Sequence, residues 1–175
     1  NPDINMMPKD GETYSKGTPN WWSHGAYDAK LGLVYIPLGN ATPDFWGAHR
    51  TPEMNKYATS VVALDVKTGK EAWHFQAVHM DTWDYDNGAP PMFVDMPDGK
   101  GGSTPSVILA TKTHQRFVLD RATGKPVVAV EERPVPNMDV EAGDAPVAPT
   151  QPWSTMPQLG TMDMKESDMW GVTMF

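Results

Sequence analysis

The sequence predicts an all-β chain built from repeated hairpins, the pattern of propellers and solenoids. Three observations carry this. The 175 residues include 15 Gly and 17 Pro, which favours many turns and short strands over long helices. ALDVKTGK (63–70) aligns with VLDRATGK (118–125): Asp65, Thr68, Gly69 and Lys70 recur as Asp120, Thr123, Gly124 and Lys125, at a constant offset of 120 − 65 = 55 positions. Self-similarity at such a period marks repeat architectures; two unrelated hairpins sharing a D-x-x-T-G turn is the competing account. Finally, no stretch of ten or more residues shows a helical apolar period.

In chain order, YDAK (27–30) is a turn and LGLVYIP (31–37) a strand. The segment 38–58 is a loop. An apolar run with Val61, Val62 and Leu64 ends at Asp65. The Asp65 side chain can cap the turn that follows, Gly69 supplies the positive φ at its end, and a second strand leaves over 71–76. The second copy repeats this with Phe117, Val118 and Leu119, then Asp120, Gly124 and a strand over 126–130. Trp73, just after the first turn, suits packing between neighbouring sheets; its counterpart is Val128. The segments 79–105 and 131–169 are long loops, expected to be ordered because they carry aromatics and Met. The Pro-rich part, 131–158, is expected to wrap over the sheets.

A net charge of -8 and a pI of about 4.9 disfavour nucleic acid and anionic lipid as partners. There is no apolar run long enough to span a membrane. Without Cys there are neither disulfides nor thiolate metal sites, and the redox compartment stays open. The opening NPDINMMPKDG is polar, is no signal peptide, and looks like the interior of a longer chain.

Four places offer chemistry, each where a strand meets a loop. They are GTPNWWSH (17–24), LGNATPDFWG (38–47), HMDTWDYD (79–86) and Lys112 within ATKTHQ (110–115). Each has a plain structural alternative. Trp21 and Trp22 suit a core as well as a cofactor platform, Asn40 suits a turn, Asp84 a turn cap, and Lys112 a solvated surface. The five His lack metal-ligand spacing, so no zinc site is expected. Taken together, an aromatic face, an oxygen ligand, a carboxylate and a cation fit a flat anionic cofactor held with a hard metal ion.

The run PNWWSHGAYDAKLGLVYIPLGNATPDFWGAHRTPE (19–53) resembles membrane-associated PQQ-dependent (quinoprotein) glucose dehydrogenases and their quinate/shikimate dehydrogenase relatives. So do VVALDVKTGKEAWHFQAVHMDTWDYD (61–86), KTHQRFVLDRATGKPV (112–127), PTQPWS (149–154) and DMWGVTMF (168–175). The resemblance covers nearly the whole chain, in the family's order. It implies that residues 1–175 are a single partial domain, about three blades of an eight-bladed β-propeller of four-stranded antiparallel sheets. Such a piece cannot close the ring, so it is expected to be inactive in isolation.

The resemblance also implies roles. Trp22 stands where the family stacks a Trp on PQQ, and Trp170 of DMWGVTMF is a further cofactor-binding position. Asn40 matches a Ca2+-ligating Asn of the related alcohol dehydrogenases. Asp84 matches the general base and a metal-site carboxylate. Lys112 matches the basic residue beside the quinone oxygens. The cofactors implied are PQQ with Ca2+ or Mg2+. The activity implied is oxidation of a sugar or polyol hydroxyl, D-glucose to gluconolactone foremost, with ubiquinone as acceptor. The expected location is the periplasmic face of the bacterial inner membrane, anchored by segments outside this chain. Two departures bear on substrate: HMDTWD stands for the common HHDLWD, and TKTHQ for AKTGN. They leave quinate or another polyol open. A non-catalytic propeller scaffold would share the D-x-x-T-G hairpin but has no use for WDYD, Lys112 and Trp22 together.

Overall fold

The two aligned turns fold with one hydrogen-bond pattern in the computed structural model, which describes residues 19–48, 50–136, 147–160 and 165–168. Asp65 Oδ1 accepts from Lys67 N, Thr68 N and Thr68 Oγ1 at 3.1, 2.8 and 2.8 Å. Asp120 Oδ1 accepts from Ala122 N, Thr123 N and Thr123 Oγ1 at 3.0, 2.8 and 2.9 Å. Gly69 and Gly124 close the turns at φ +68 and +70, a left-handed conformation that strains any residue with a Cβ. The YDAK turn is built the same way: Asp28 Oδ1 accepts from Lys30 N and Leu31 N, and Gly32 sits at φ 65. Sequence alignment missed this third member because only its Asp and Gly are shared.

Three antiparallel sheets follow. The first has the order β1-β2-β3-β4, from β1 (Ala26–Asp28), β2 (Leu33–Pro37), β3 (Ser60–Asp65) and β4 (Glu71–Gln76). The second is β5 (Met92–Pro97), β6 (Ser103–Ala110) and β7 (Arg116–Asp120). The third pairs β8 (Val130–Pro134) with β9 (Thr150–Ser154). One short helix, α1 (Pro52–Tyr57), is capped by Thr51, whose side chain accepts from Met54 N.

Three expectations need correction. The loop expected over 79–105 contains β5, and the one over 131–169 contains β8 and β9. The strand expected over 126–130 is reduced to an isolated bridge, Leu119 to Pro126, before β8 starts at Val130. Pro126 has no N–H to continue the ladder. The loop over 38–58 carries α1. The fold is all-β with antiparallel sheets, consistent with part of a β-propeller; the described sheets hold four, three and two strands.

The core lies between the first two sheets. Tyr35, Val61, Ala63 and Trp73 of the first meet Val107, Leu109, Phe117 and Leu119 of the second, all buried. The Trp73 indole packs 5.6 Å from the Tyr35 ring, and Phe75 stands 4.9 Å from Phe117. Two polar tips in this layer share one acceptor. Tyr35 Oη and Trp73 Nε1 both donate to the Arg121 carbonyl, at 2.9 and 3.0 Å. The Arg121 guanidinium in turn pairs with Asp28 of the first sheet at 3.1 Å and Asp95 of the second at 3.2 Å. Trp73 thus packs between neighbouring sheets as expected, with Gly124 of the next hairpin turn against its ring.

Candidate functional site

The loops that follow β2, β4 and β6 come together. Pro37 pairs with Val61 and Gln76 with Ser60, so β2 and β4 both end where β3 begins. The loop after β6 carries Lys112, which reaches residues 84–86 of the loop after β4. All four described candidates therefore stand at one end of the sheets.

Asp81 organises the first part of the acidic stretch. Fully buried, its carboxylate accepts from Thr59 Oγ1 at 2.6 Å, Tyr85 N at 2.9 Å and Trp83 N at 2.9 Å. Arg50 donates to the Asp81 carbonyl and to the carbonyls of Pro43 and Asp44, tying the loop after β2 to the loop after β4. Buried polar groups held this fully rigidify a segment. Asp84 then projects at φ 63, a left-handed conformation that Asp tolerates better than most residues.

Lys112 is the hub. Its Nζ donates to the Asp84 carbonyl at 2.7 Å and to Asp86 Oδ2 at 3.2 Å, and lies 3.6 Å from Asp84 Oδ2. It also stands 5.9 Å from the centroid of the Trp22 ring. Asp86, with its side chain 2% exposed, accepts from Asn40 N through Oδ1 at 2.6 Å. Asn40 joins the cluster through this bond. Its side chain is buried and engaged: Nδ2 donates to the Asp44 carbonyl at 2.9 Å and Oδ1 accepts from Ala41 N at 2.8 Å. Trp22 is 66% exposed, so its ring is no core element. The adjacent bridge between Trp21 and Leu38 and the bond from Gly39 N to the Asn20 carbonyl fix its backbone. Trp170 lies outside the described residues.

The carboxylates are pushed apart electrostatically. Asp84 is raised above the usual Asp value, first by hydrogen bonding with the Asp86 carboxyl, then by burial and the Asp86 charge, with Lys112 opposing. For Asp86, burial alone would raise it. The Asn40 N–H, the Asp84 carboxyl and the Lys112 ammonium outweigh burial, and Asp86 is lowered. Burial pulls Lys112 down, but its two carboxylate partners win and it is raised. Of the pair, Asp84 holds a proton more readily and Asp86 is the more firmly ionised.

Beside Lys112 opens a cleft of about 730 Å³, lined among others by Trp83, Tyr85, His114, Arg133 and Trp153. The Arg133 guanidinium stacks 4.6 Å from the Trp153 ring. Sequence reasoning did not anticipate Arg133 or Trp153, because both sit on strands in the segment expected to be loop.

A flat anionic cofactor fits the exposed Trp22 face and the ammonium beside it. A hard cation fits less completely. Among the described residues no group of three or more His, Cys, Asp or Glu is placed to hold a metal. Asn40 Oδ1 and the Asp84 carboxylate are at most a partial set for an ion that takes six or more oxygens.

The whole chain, residues 1–175, matches the family model described as "PQQ: Glucose/ethanol/alcohol dehydrogenase, beta-propeller domain". The chain is 51% identical over 173 residues to the glycerol dehydrogenase large subunit of Gluconobacter oxydans, covering 98% of this chain and 23% of that protein. It is 47% identical to the quinoprotein glucose dehydrogenase of Escherichia coli over 99% of this chain and 21% of that protein. The quinate/shikimate dehydrogenase (quinone) of Acinetobacter baylyi is 44% identical over 100% of this chain and 22% of its own length. The solved quinohemoprotein alcohol dehydrogenase of Comamonas testosteroni superposes with a TM-score of 0.58 at 31% identity, covering 79% of this chain and 20% of that one. The chain thus spans under a quarter of the length of these relatives.

Proposed function

We propose, for a chain that belongs to the PQQ-dependent glucose/ethanol/alcohol dehydrogenase β-propeller family, that residues 1–175 are part of one propeller domain that oxidises a sugar or polyol hydroxyl. The observation that carries this reading is Lys112: one ammonium touches the Asp84 backbone, the buried Asp86 carboxylate and the face of Trp22.

When bound, PQQ supplies the acceptor for the hydride equivalent leaving the carbinol carbon, and a Ca2+ or Mg2+ ion held in part by Asn40 and Asp84 supplies Lewis acidity. The chain's own residues do the rest. Trp22 provides a flat apolar floor that orients the cofactor ring. Lys112 keeps its positive charge beside Asp86 and stabilises negative charge developing within its reach. The ionised Asp84 carboxylate accepts the substrate hydroxyl proton at Oδ1 or Oδ2. The neighbouring Asp86 carboxyl raises its affinity for a proton, and the cation opposes that shift. Trp83 and Tyr85 flank it and face the cleft, where a polyhydroxylated substrate has aromatic surface to lie against.

The substrate we propose is a polyol or sugar. D-glucose is the expectation from the sequence, and the two relatives at 51% and 49% identity, both named glycerol dehydrogenase large subunit, add glycerol-like polyols on equal terms. Electrons pass to ubiquinone, in a periplasmic, membrane-associated enzyme. Among the described residues no helix is long and apolar enough to cross a membrane. The test is dye reduction by the full-length protein loaded with PQQ and Ca2+ or Mg2+, offered glycerol, D-glucose and quinate separately. Turnover on at least one supports the reading. No turnover on any, with PQQ bound, overturns it.

A further inference from the structure

Asp86 is a buried charge at the site to which the mechanism above gives no direct part. Its side chain is 2% exposed. Its two oxygens are divided between two loops: Oδ1 takes the Asn40 N–H at 2.6 Å, and Oδ2 takes the Lys112 ammonium at 3.2 Å. Lys112 stands on the second sheet's loop and Asn40 on the first's. The carboxylate is therefore the pin between the two sheets at the end where the candidates gather. Gly39 explains how it gets there. A Cβ at that position would collide with the Asp86 carboxyl and the Asn20 amide oxygen, so the lack of a side chain lets the carboxylate close on the backbone.

We infer that Asp86 is a positioning residue for this reaction: it acts through Lys112, holding the ammonium over Trp22 and beside Asp84, and does not itself touch substrate. The inference rests on the dehydrogenase reading above. The physics is that of a flexible four-carbon amine. A lone Lys samples many rotamers, whereas one bonded to a fixed buried anion and to the Asp84 carbonyl is preorganised. Preorganised charge is the component of catalysis that costs no reorganisation at the moment of reaction.

The experiment is a double-mutant cycle in the PQQ-loaded protein as it is expressed, with Asp86→Asn, Lys112→Met and the pair, each assayed for kcat and KM on the substrate that wild type turns over. Asn keeps an oxygen for the Asn40 N–H but loses the ion pair. Asp86→Asn should lower kcat about tenfold or more with KM changed by less than about threefold. In the Lys112→Met background the same change should cost less than about twofold, since the group it acts through is gone. In the protein without PQQ, reductive methylation of Lys112 followed by mass spectrometry should run several-fold faster in Asp86→Asn. Gly39→Ala is the second variant. Its methyl displaces the Asp86 carboxylate without removing it, and should lower kcat to a similar degree. An Asp86→Asn protein with wild-type kcat overturns the inference. So do losses that multiply independently with those of Lys112→Met, or an unchanged Lys112 methylation rate. Should Asp86→Asn not fold, a folded Gly39→Ala protein at full kcat overturns it and one with the predicted loss supports it. If wild type itself turns over no substrate, the failure belongs to the dehydrogenase reading. In that event the methylation rate alone decides whether Asp86 pins Lys112.

Discussion

Replacing Asp84 with Asn tests the proposed base with little collateral damage, and the structure says why. The two hydrogen bonds of Lys112 run to the Asp84 carbonyl at 2.7 Å and to Asp86 at 3.2 Å. The Asp84 carboxylate stands farther off, at 3.6 Å, with its side chain 38% exposed. Asn is also at home at the φ of 63 that residue 84 adopts. Stability should therefore change by no more than about 0.5 kcal/mol, and PQQ should still bind. The rate should not survive. A positioned base contributes about 10²–10⁴-fold, or about 3–5 kcal/mol of barrier at about 1.4 kcal/mol per decade. The assay is kcat by dye reduction at saturating substrate, beside a PQQ titration followed by Trp fluorescence. A loaded Asp84→Asn protein within about threefold of wild-type kcat would refute the assignment. The pH profile adds a sign. A base works only when ionised, so wild-type activity is lost as pH falls through its pKa. Without metal, Asp84 is raised by the neighbouring Asp86 carboxyl, and a divalent cation bound at its carboxylate would oppose that shift.

Three further predictions follow from other parts of the molecule. Trp22→Ala should weaken PQQ binding about tenfold or more without lowering the thermal midpoint, because the ring is 66% exposed; unchanged affinity would remove Trp22 from the cofactor's floor. Trp73→Ala should cost about 3–5 kcal/mol in urea unfolding, since it empties the layer between two sheets and leaves the Arg121 carbonyl with Tyr35 Oη as its one remaining donor of the two; a loss under about 1 kcal/mol would mean that the sheets do not depend on that contact. Glu71 is depressed from 4.5 to about 2, first by the hydrogen bond from Tyr57, then by His74 and Lys56 against opposing burial. Its stabilisation is complete above 4.5 and is lost as pH falls toward 2, so Glu71→Gln should flatten the pH dependence of the thermal midpoint across that window.

The hairpins were legible because their information is local. Asp65 and Asp120 fix their turns through bonds to residues two and three positions on, and such bonds leave a pattern in the sequence. The strands that were missed lack one. The strand Met92–Pro97 is largely exposed and ends in Pro, and Val130–Pro134 reads VEERP with four exposed residues. They are strands because Ser103–Ala110 and Thr150–Ser154 pair with them across intervening loops, and tertiary pairing overrides local preference. The candidates Trp22, Asn40, Asp84 and Lys112 stood out by residue type at strand–loop junctions, but their roles came from resemblance, since spacings of tens of residues say nothing about proximity. What resemblance did not rank was the surrounding machinery. The roles of Asp81, Arg50 and Gly39 depend on which loop each one touches, and only coordinates show that.

The division of labour within HMDTWDYD follows from counting satisfied lone pairs. Asp81 accepts three hydrogen bonds in a fully buried site, so most of its roughly four lone-pair directions are taken and burial keeps a substrate from the rest. Asp86 accepts from Asn40 N and Lys112 Nζ and is shut off from solvent, which fixes its charge and denies it access. Asp84 alone is both accessible and incompletely paired. It is also the one that the positive φ turns outward, a conformation the bonds from Trp83 N and Tyr85 N to Asp81 impose on either side of it. The charge balance completes the case. Two carboxylates share a single ammonium, so the cluster of Asp84, Asp86 and Lys112 carries one uncompensated negative charge. Repulsion places the incoming proton on the less stabilised carboxylate, and the structure makes that one Asp84. Asp81 and Asp86 thus leave Asp84, unremarkable by composition, as the accessible carboxylate of the stretch and the one proposed above as the base.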